Sequence, residues 1–176
     1  MKGRKIELLS PAGSFECLQA AIQGGADAVY FGVEQLNMRA KSVSSFSVND
    51  IKQIAAISRA NGIRSYITLN TIMYEHDMQL LHSILKEVKK HAIDAVIASD
   101  FAVIEYCNQL NIPLHISTQA NVSNMEAVQF FSRFADVVVL ARELALKQSE
   151  HISKEIKRRK SMGVTGWLMN SEILVR

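Results

Sequence analysis

Six short apolar runs, each followed at once by polar or turn-forming residues, constrain the fold of this chain more than any other feature. The runs do not alternate polar with apolar residues, which is typical of strands covered on both faces in a parallel sheet or barrel. The predicted strands are residues 6–9, 28–31, 65–69, 95–98, 114–117 and 137–140.

The segments between the predicted strands are amphipathic and carry helix-capping signals. Gly24 and Gly25 end the first predicted helix, and a long helix is predicted from about residue 75 to residue 91. The predicted helix starts are Ser14, Asp100 and two capping boxes, Ser47 with Asp50 and Ser123 with Glu126. Strands and helices therefore alternate, and right-handed crossovers place all six strand exits at one end of the sheet.

Two parallel architectures fit this alternation. A doubly wound open sheet is complete at 176 residues, whereas a TIM barrel typically needs about 250, so length alone favours the open sheet. The glycines argue against a nucleotide-binding sheet, because Gly24 and Gly25 end a helix instead of opening one after the first strand. The sequence therefore contains neither a dinucleotide-binding loop nor a P-loop.

The net charge of +3 is unevenly distributed along the chain. Residues 1–144 carry −1 and residues 145–176 carry +4, mostly through Lys157, Arg158, Arg159 and Lys160. We interpret this run as a solvated helix end, where cations oppose the helix dipole, because no aromatic or glycine-rich motif accompanies it. A nucleic-acid surface is the alternative.

No apolar run approaches the length of about 20 residues that spans a bilayer, and no signal peptide precedes the first strand, so we expect a cytoplasmic location. Cys17 and Cys107 each fall in a predicted helix, which indicates reduced packing residues and neither a disulfide nor a metal site. Because no His-Glu-x-x-His or Gly-x-Ser-x-Gly motif is present, the sequence identifies no catalytic residue.

Polar side chains at the strand exits predict a ligand site that converges at the C-terminal ends of the strands. Most are neutral hydrogen-bonding groups, which orient a polar ligand well and activate water poorly. Arg39 and Arg142 could hold a carboxylate or phosphate by a bidentate fork, and either could pair with Glu7. The predicted ligand-binding residues are Glu7, Arg39, Asn70, Ser99, Ser117, Thr118, Gln119, Asn121, Arg142 and Glu143. Alternatively, Ser117, Thr118 and Asn121 only cap the next helix and close its loop.

Six co-linear blocks make the chain resemble peptidase family U32, the collagenase-like proteases. The blocks are ELLSPAGS (7–14), GADAVYFG (25–32), NMRA (37–40), TLNT (68–71), STQAN (117–121) and REL (142–144). The resemblance implies a TIM-type barrel. Family members include proteins named as collagenases and others that hydroxylate tRNA, ribosomal RNA or a quinone precursor with an iron–sulfur cluster, and the RNA cases use prephenate.

The cluster-ligating cysteines that the family would place after the next strand do not occur in this sequence. We therefore expect residues 1–176 to form a single α/β domain, an incomplete parallel TIM-type (β/α) barrel of about six to seven βα units without the cysteine-bearing segment. Residues 163–170 are a candidate seventh strand. An open barrel edge would favour self-association.

Three functions remain open on this basis. The chain is the N-terminal barrel portion of a U32 peptidase or RNA-hydroxylating protein, a non-catalytic ligand-binding or interaction module, or a metal-independent peptidase. We expect no cofactor in this chain itself. For a full-length protein, the resemblance implies an iron–sulfur cluster, an anionic small molecule or RNA as partner, and no membrane.

Overall fold

The computed structural model describes residues 7–36, 46–161 and 172–174. The strands form a sheet whose order follows the chain, and contacts divide the chain into two compact units, residues 1–96 and 97–176. A doubly wound sheet would reverse its strand order at a switch point, so this order excludes it. The predicted series of parallel strands, adjacent in chain order, is confirmed.

The first unit alternates strands with helices, and its strand β2 is buried on both faces. Residues 28–31 are all buried, and Ala28 pairs in parallel with Leu9 on one side and with Arg64 on the other. The elements are β1 (Leu9–Pro11), α1 (Phe15–Gln23), β2 (Ala28–Gly32), α2 (Ile51–Ala60), β3 (Arg64–Leu69) and α3 (Met78–His91), followed by β4 (Ala95–Ala98) at the unit boundary.

The second unit continues the same alternation. Its central strands are short and fully buried, and β5 and β6 pair in parallel through His115 with Val137 and Ile116 with Val138. The elements are α4 (Phe101–Gln109), β5 (Leu114–Ile116), α5 (Met125–Phe131), β6 (Val137–Val139), α6 (Leu146–Ser161) and β7 (Glu172–Leu174). The candidate seventh strand at 163–170 lies outside the described residues, and the seventh strand that is described begins at Glu172.

Local capping signals place most helix starts where the sequence predicts them. The Ser14 hydroxyl accepts the Cys17 N–H at 3.3 Å, and Asp100 Oδ1 accepts the Ala102 N–H at 2.8 Å. The first predicted capping box is formed, because Asp50 Oδ2 accepts the N–H of the capping serine at 2.7 Å. These side chains satisfy N–H groups that a helix start leaves without backbone partners.

Two sequence predictions about element starts are wrong. The Ser123 and Glu126 box is replaced by Asn124, whose Oδ1 accepts the Ala127 N–H at 2.8 Å. The first strand is Leu9–Pro11, so Glu7 and Leu8 of the predicted strand 6–9 lie before it, because pairing with β2 sets its position. A proline is compatible with this position because β1 is an edge strand in the sheet order.

Three aspartates form a repeated contact that we call the Asp clamps: Asp27, Asp94 and Asp136. Each stands just before an even-numbered strand, β2, β4 or β6, and its carboxylate accepts a backbone N–H within one residue of the start of the preceding strand. The contacts are Leu8 N–H to Asp27 at 2.9 Å, Ser65 N–H to Asp94 at 2.8 Å and Leu114 N–H to Asp136 at 3.0 Å. In return, each aspartate N–H donates to the carbonyl of the same residue at 2.9–3.0 Å. The clamps therefore tie strands together in pairs at their N-terminal ends.

The two cysteines differ in environment. Cys107 is buried in α4 as predicted, and burial raises the pKa of its thiol to about 12. Cys17 is exposed on α1, which contradicts the packing role predicted for it, and the hydrogen bond with the Ser14 side chain lowers the pKa of its thiol. Within the described residues, no helix has the length and apolar composition needed to cross a membrane.

Candidate functional site

Three strand exits of the second unit lie side by side, because backbone hydrogen bonds join the loops that follow β4, β5 and β6. Ser117 N–H, just after β5, donates to Ala98 O at the end of β4 at 2.7 Å. Ala141 N–H, just after β6, donates to Val122 O in the loop after β5 at 2.9 Å. We call these three adjoining loops the exit site.

The loop after β5 supplies most of the polar groups of the exit site. The Ser117 side chain is buried and its hydroxyl accepts the Gln119 N–H at 3.3 Å, which starts a short 3-10 turn over Thr118–Ala120. Asn121 ends that turn in a left-handed conformation with φ of 51°. These contacts shape the loop, whereas Gln119 is exposed at its tip and Thr118 is half-buried. Ser117 and Asn121 therefore shape this loop, whereas the cap of α5 that the alternative assigned to them is Asn124.

The other two loops contribute a guanidinium, a carboxylate and a hydroxyl. Arg142 and Glu143 are exposed directly after buried Leu140 and Ala141, and Ser99 is half-buried after β4. Within the described residues, no carboxylate lies within ion-pair distance of the Arg142 guanidinium. An exposed guanidinium among neutral hydrogen-bonding groups can hold a carboxylate or phosphate.

Two exposed large apolar side chains, Phe101 and Leu146, lie beside the exit site and are not among the residues predicted from the sequence. Both are exposed, and each is the first residue of the helix that follows a strand exit. An apolar residue in a first helical turn normally indicates core packing, so the sequence carries no signal that separates them from the core. They give the exit site an apolar contact surface beside its polar groups.

The start of α6 is capped from within the helix. Ala145 cannot cap this helix with a side chain, but its N–H donates to Gln148 Oε1 at 2.8 Å. This is the reverse half of a capping box, in which a side chain of the first turn reaches back to the residue before the helix. It fixes the loop that carries Arg142.

The first unit places its predicted site residues at opposite ends of the sheet. Glu7 precedes β1 and pairs with Arg64, the first residue of β3, while its oxygens accept the Tyr66 hydroxyl at 3.0 and 3.2 Å. Asn70 follows the other end of β3, so the structure does not bring Glu7 and Asn70 together. Arg39 lies outside the described residues. The predicted partners of Glu7 were Arg39 and Arg142, and the partner that the structure describes is Arg64.

The cysteines do not fit an iron–sulfur cluster. Such clusters are typically held by four thiolates, and the sequence has two cysteines. One of them, Cys107, is buried, and burial disfavours its thiolate, raising the pKa of the thiol to about 12. Within the described residues, no group of three or more His, Cys, Asp or Glu side chains could hold a metal ion.

The family model and the similar proteins of known name point to the same family. The model of peptidase family U32 matches residues 13–171. A collagenase of Porphyromonas gingivalis is 48% identical over 94% of this chain and 40% of its own length. A tRNA hydroxylation protein of Bacillus subtilis is 32% identical over 87% of this chain and 37% of its own length. A 23S rRNA 5-hydroxycytidine synthase of Escherichia coli is 33% identical over 84% of this chain and 22% of its own length. The chain thus spans less than half the length of each of these relatives.

Solved structures agree on the fold. A U32 peptidase superimposes with a TM-score of 0.73 at 14% identity, covering 99% of this chain and 70% of that chain. A phospho-2-dehydro-3-deoxyheptonate aldolase of Thermotoga maritima gives a TM-score of 0.54 at 10% identity, covering 96% of this chain and 59% of that chain. At these identities the likeness shows the fold alone. Together with the strand order, it confirms the predicted fold class, an incomplete TIM-type (β/α) barrel.

Proposed function

The chain belongs to peptidase family U32, and we propose that it is the ligand-binding barrel portion of an RNA-modifying protein of that family. The observation that carries this proposal is the exit site, in which Ser99, Gln119 and Arg142 each follow one of three adjoining strand ends. The C-terminal ends of barrel strands are where enzymes of this fold bind their ligands. The relatives named for tRNA and ribosomal RNA chemistry support RNA as the substrate class.

The composition of the exit site supports binding more than hydrolysis. A peptidase needs an activated nucleophile, paired carboxylates or a metal-bound water. The Ser117 hydroxyl is buried and accepts a backbone hydrogen bond, which suits a structural role better than nucleophilic attack. A metal-independent peptidase remains the second candidate function, because the Porphyromonas gingivalis collagenase is 48% identical.

We propose that the Arg142 guanidinium binds an anionic ligand. The resemblance to the family implies prephenate, whose carboxylates suit the guanidinium fork. We expect isothermal titration calorimetry to detect binding of prephenate. Arg142→Ala should lower the affinity for prephenate at least tenfold, because a charged hydrogen bond contributes about 1.5–3 kcal/mol. Arg133→Ala is the control, since Arg133 is also exposed and lies after α5, away from the strand exits. Equal effects of the two substitutions would remove the exit site as the anion site.

The peptidase alternative has a direct test. Incubation of the purified chain with gelatin should leave the gelatin intact, as measured by electrophoresis. Cleavage that survives chelation and disappears in Ser117→Ala would establish the metal-independent peptidase and overturn the proposal. Absence of both cleavage and prephenate binding would favour a non-catalytic interaction module.

The remaining proposals concern cofactor, location and assembly. An iron–sulfur cluster of a whole RNA-hydroxylating protein would need thiolates that this sequence does not supply. Substrates such as tRNA and ribosomal RNA support a cytoplasmic location. Self-association through an open strand edge stays a prediction; its basis is that β1 pairs only with β2 among the described strands. Sedimentation velocity tests it, and a monomer at micromolar concentration would contradict it. The predicted convergence of exit residues from both units also stays a prediction.

A further inference from the structure

The positive charge of the chain is concentrated on one helix of the second unit. Six of the 20 basic residues and two of the 17 acidic residues lie on α6, so this helix carries +4 and the rest of the chain carries −1. Cations at a helix C-terminus are favourable in any protein. Charge alone therefore does not identify a binding surface.

The outward face of α6 carries this charge. Ser149, Ile152 and Ile156 are buried and define the inner face of the helix, whereas Lys157 and Arg158 are exposed. Arg158 donates to Glu155, and these charge contacts lower the pKa of that carboxyl to about 2. Within the described residues, no carboxylate is in ion-pair contact with Lys157. The last two turns of α6 therefore present excess positive charge to solvent.

Two exposed aromatic side chains lie at the end of α5 and just after it, well before the basic run in sequence. Phe130 and Phe134 are 43% and 37% exposed, and their ring centroids lie 5.6 Å apart. Arg159 donates to Gln129 Oε1 at 3.3 Å, which joins the basic end of α6 to the residue before Phe130. Exposed rings and cations on neighbouring parts of a fold are a combination that binds single-stranded nucleic acid, since phosphates contact the cations and bases stack on the rings.

We propose that Phe130, Phe134, Lys157 and Arg158, which we call the basic–aromatic surface, bind single-stranded RNA. A duplex would keep its bases stacked inside the helix and out of reach of the phenylalanine rings, so the surface suits an unpaired segment. Lys157 lies eleven residues after Leu146, or about 17 Å along the helix from the exit site. The surface therefore holds RNA at the end of α6 that lies away from the exit site, while the exit site takes the small ligand. This inference rests on the proposed RNA-modifying function.

The test measures fluorescence anisotropy of a short labelled oligouridylate and of an abasic oligonucleotide of the same length. The double variant Lys157→Glu/Arg158→Glu should weaken the binding of both ligands at least tenfold. The slope of log affinity against log salt concentration should become shallower by about 0.7 for each phosphate that the variant no longer neutralises. The control is Lys52→Glu/Lys86→Glu, which makes the same charge change on exposed positions of α2 and α3. Equal weakening by this control would mean that net charge, and not the surface, binds RNA.

The aromatic part of the surface has its own readout. Phe130→Ala/Phe134→Ala should weaken oligouridylate about tenfold and leave the abasic oligonucleotide unchanged, because only the former can stack. Tyr74→Ala removes another exposed aromatic side chain, in the first unit, and should change neither. If the phenylalanine variant binds oligouridylate normally, or if polyglutamate competes as well as RNA, the inference is overturned. Arg142→Ala with prephenate tests the proposed function separately, so the two can fail independently.

Discussion

The Asp clamps allow a quantitative test, because one contact is repeated three times with amide donors of different burial. Ser65 and Leu114 are 2% and 1% exposed, whereas Leu8 is 56% exposed. A buried N–H that loses its acceptor costs about 1–3 kcal/mol, while water replaces the acceptor of an exposed one. The cost of removing an Asp clamp should therefore follow the burial of the residue whose N–H it accepts.

Asp94→Ala should be the most destabilising of the three substitutions. It removes the acceptor of the Ser65 N–H at 2.8 Å and of the Ser65 hydroxyl at 3.1 Å, both in a buried residue. We expect a loss of about 2–3 kcal/mol in the free energy of unfolding for Asp94→Ala, about 2 kcal/mol for Asp136→Ala, and below about 1 kcal/mol for Asp27→Ala. Asp94→Asn retains an acceptor oxygen and should cost about half as much as Asp94→Ala.

Urea unfolding followed by far-ultraviolet circular dichroism gives the free energies, and hydrogen exchange of the individual amides reports the contacts directly. In Asp94→Ala the Ser65 amide should lose protection while the Leu114 amide, which Asp136 accepts, keeps it. Equal losses of stability in Asp27→Ala and Asp94→Ala would refute the reasoning, because donor burial would then not decide the cost.

Two further predictions concern the backbone and a buried thiol. Gly25 has φ of +77° and open space around its Cα. Gly25→Ala should therefore lower the free energy of unfolding, measured by heat or urea, by about 1 kcal/mol. The control is Gly13→Ala, at an open position without a left-handed φ, which should be neutral or slightly stabilising. The buried Cys107 thiol keeps its proton up to about pH 12 in the folded state, whereas the unfolded thiol ionises near pH 9. The free energy of unfolding should therefore fall as pH rises between these values, by about 1.4 kcal/mol per pH unit. If the urea midpoint of Cys107→Ala falls with pH as steeply as that of the unsubstituted protein, this thiol is not the cause.

The sequence predicts most of the elements because their signals are local. The bounds of α1 agree with the prediction, since Ser14 caps its start and Gly24 follows its end. The start of α5 does not agree, because Ser123 and Asn124 are both good caps and packing of the helix chooses between them. The position of β1 depends on pairing with β2, which is a long-range property that the apolar run does not contain.

The candidate site could be predicted only in part for the same reason. The loop after β5 stands out in sequence because polar residues follow an apolar run. The Glu7 ion pair joins residues far apart in the chain, and no local pattern selects Arg64 over another arginine. The neighbourhood of Phe130 and Arg159 likewise appears only when α5 and α6 are placed side by side.

The hydrogen bonds that hold the exit loops together use main-chain atoms at both ends, at Ser117 with Ala98 and at Ala141 with Val122. Any residue except proline can donate such a bond, so substitutions in these loops can change the ligand without disturbing the spacing of the loops. Evolution could therefore exchange chemistries on one unchanged frame. This offers a physical reason why a single ancestry includes proteins named for collagen cleavage and others named for RNA hydroxylation.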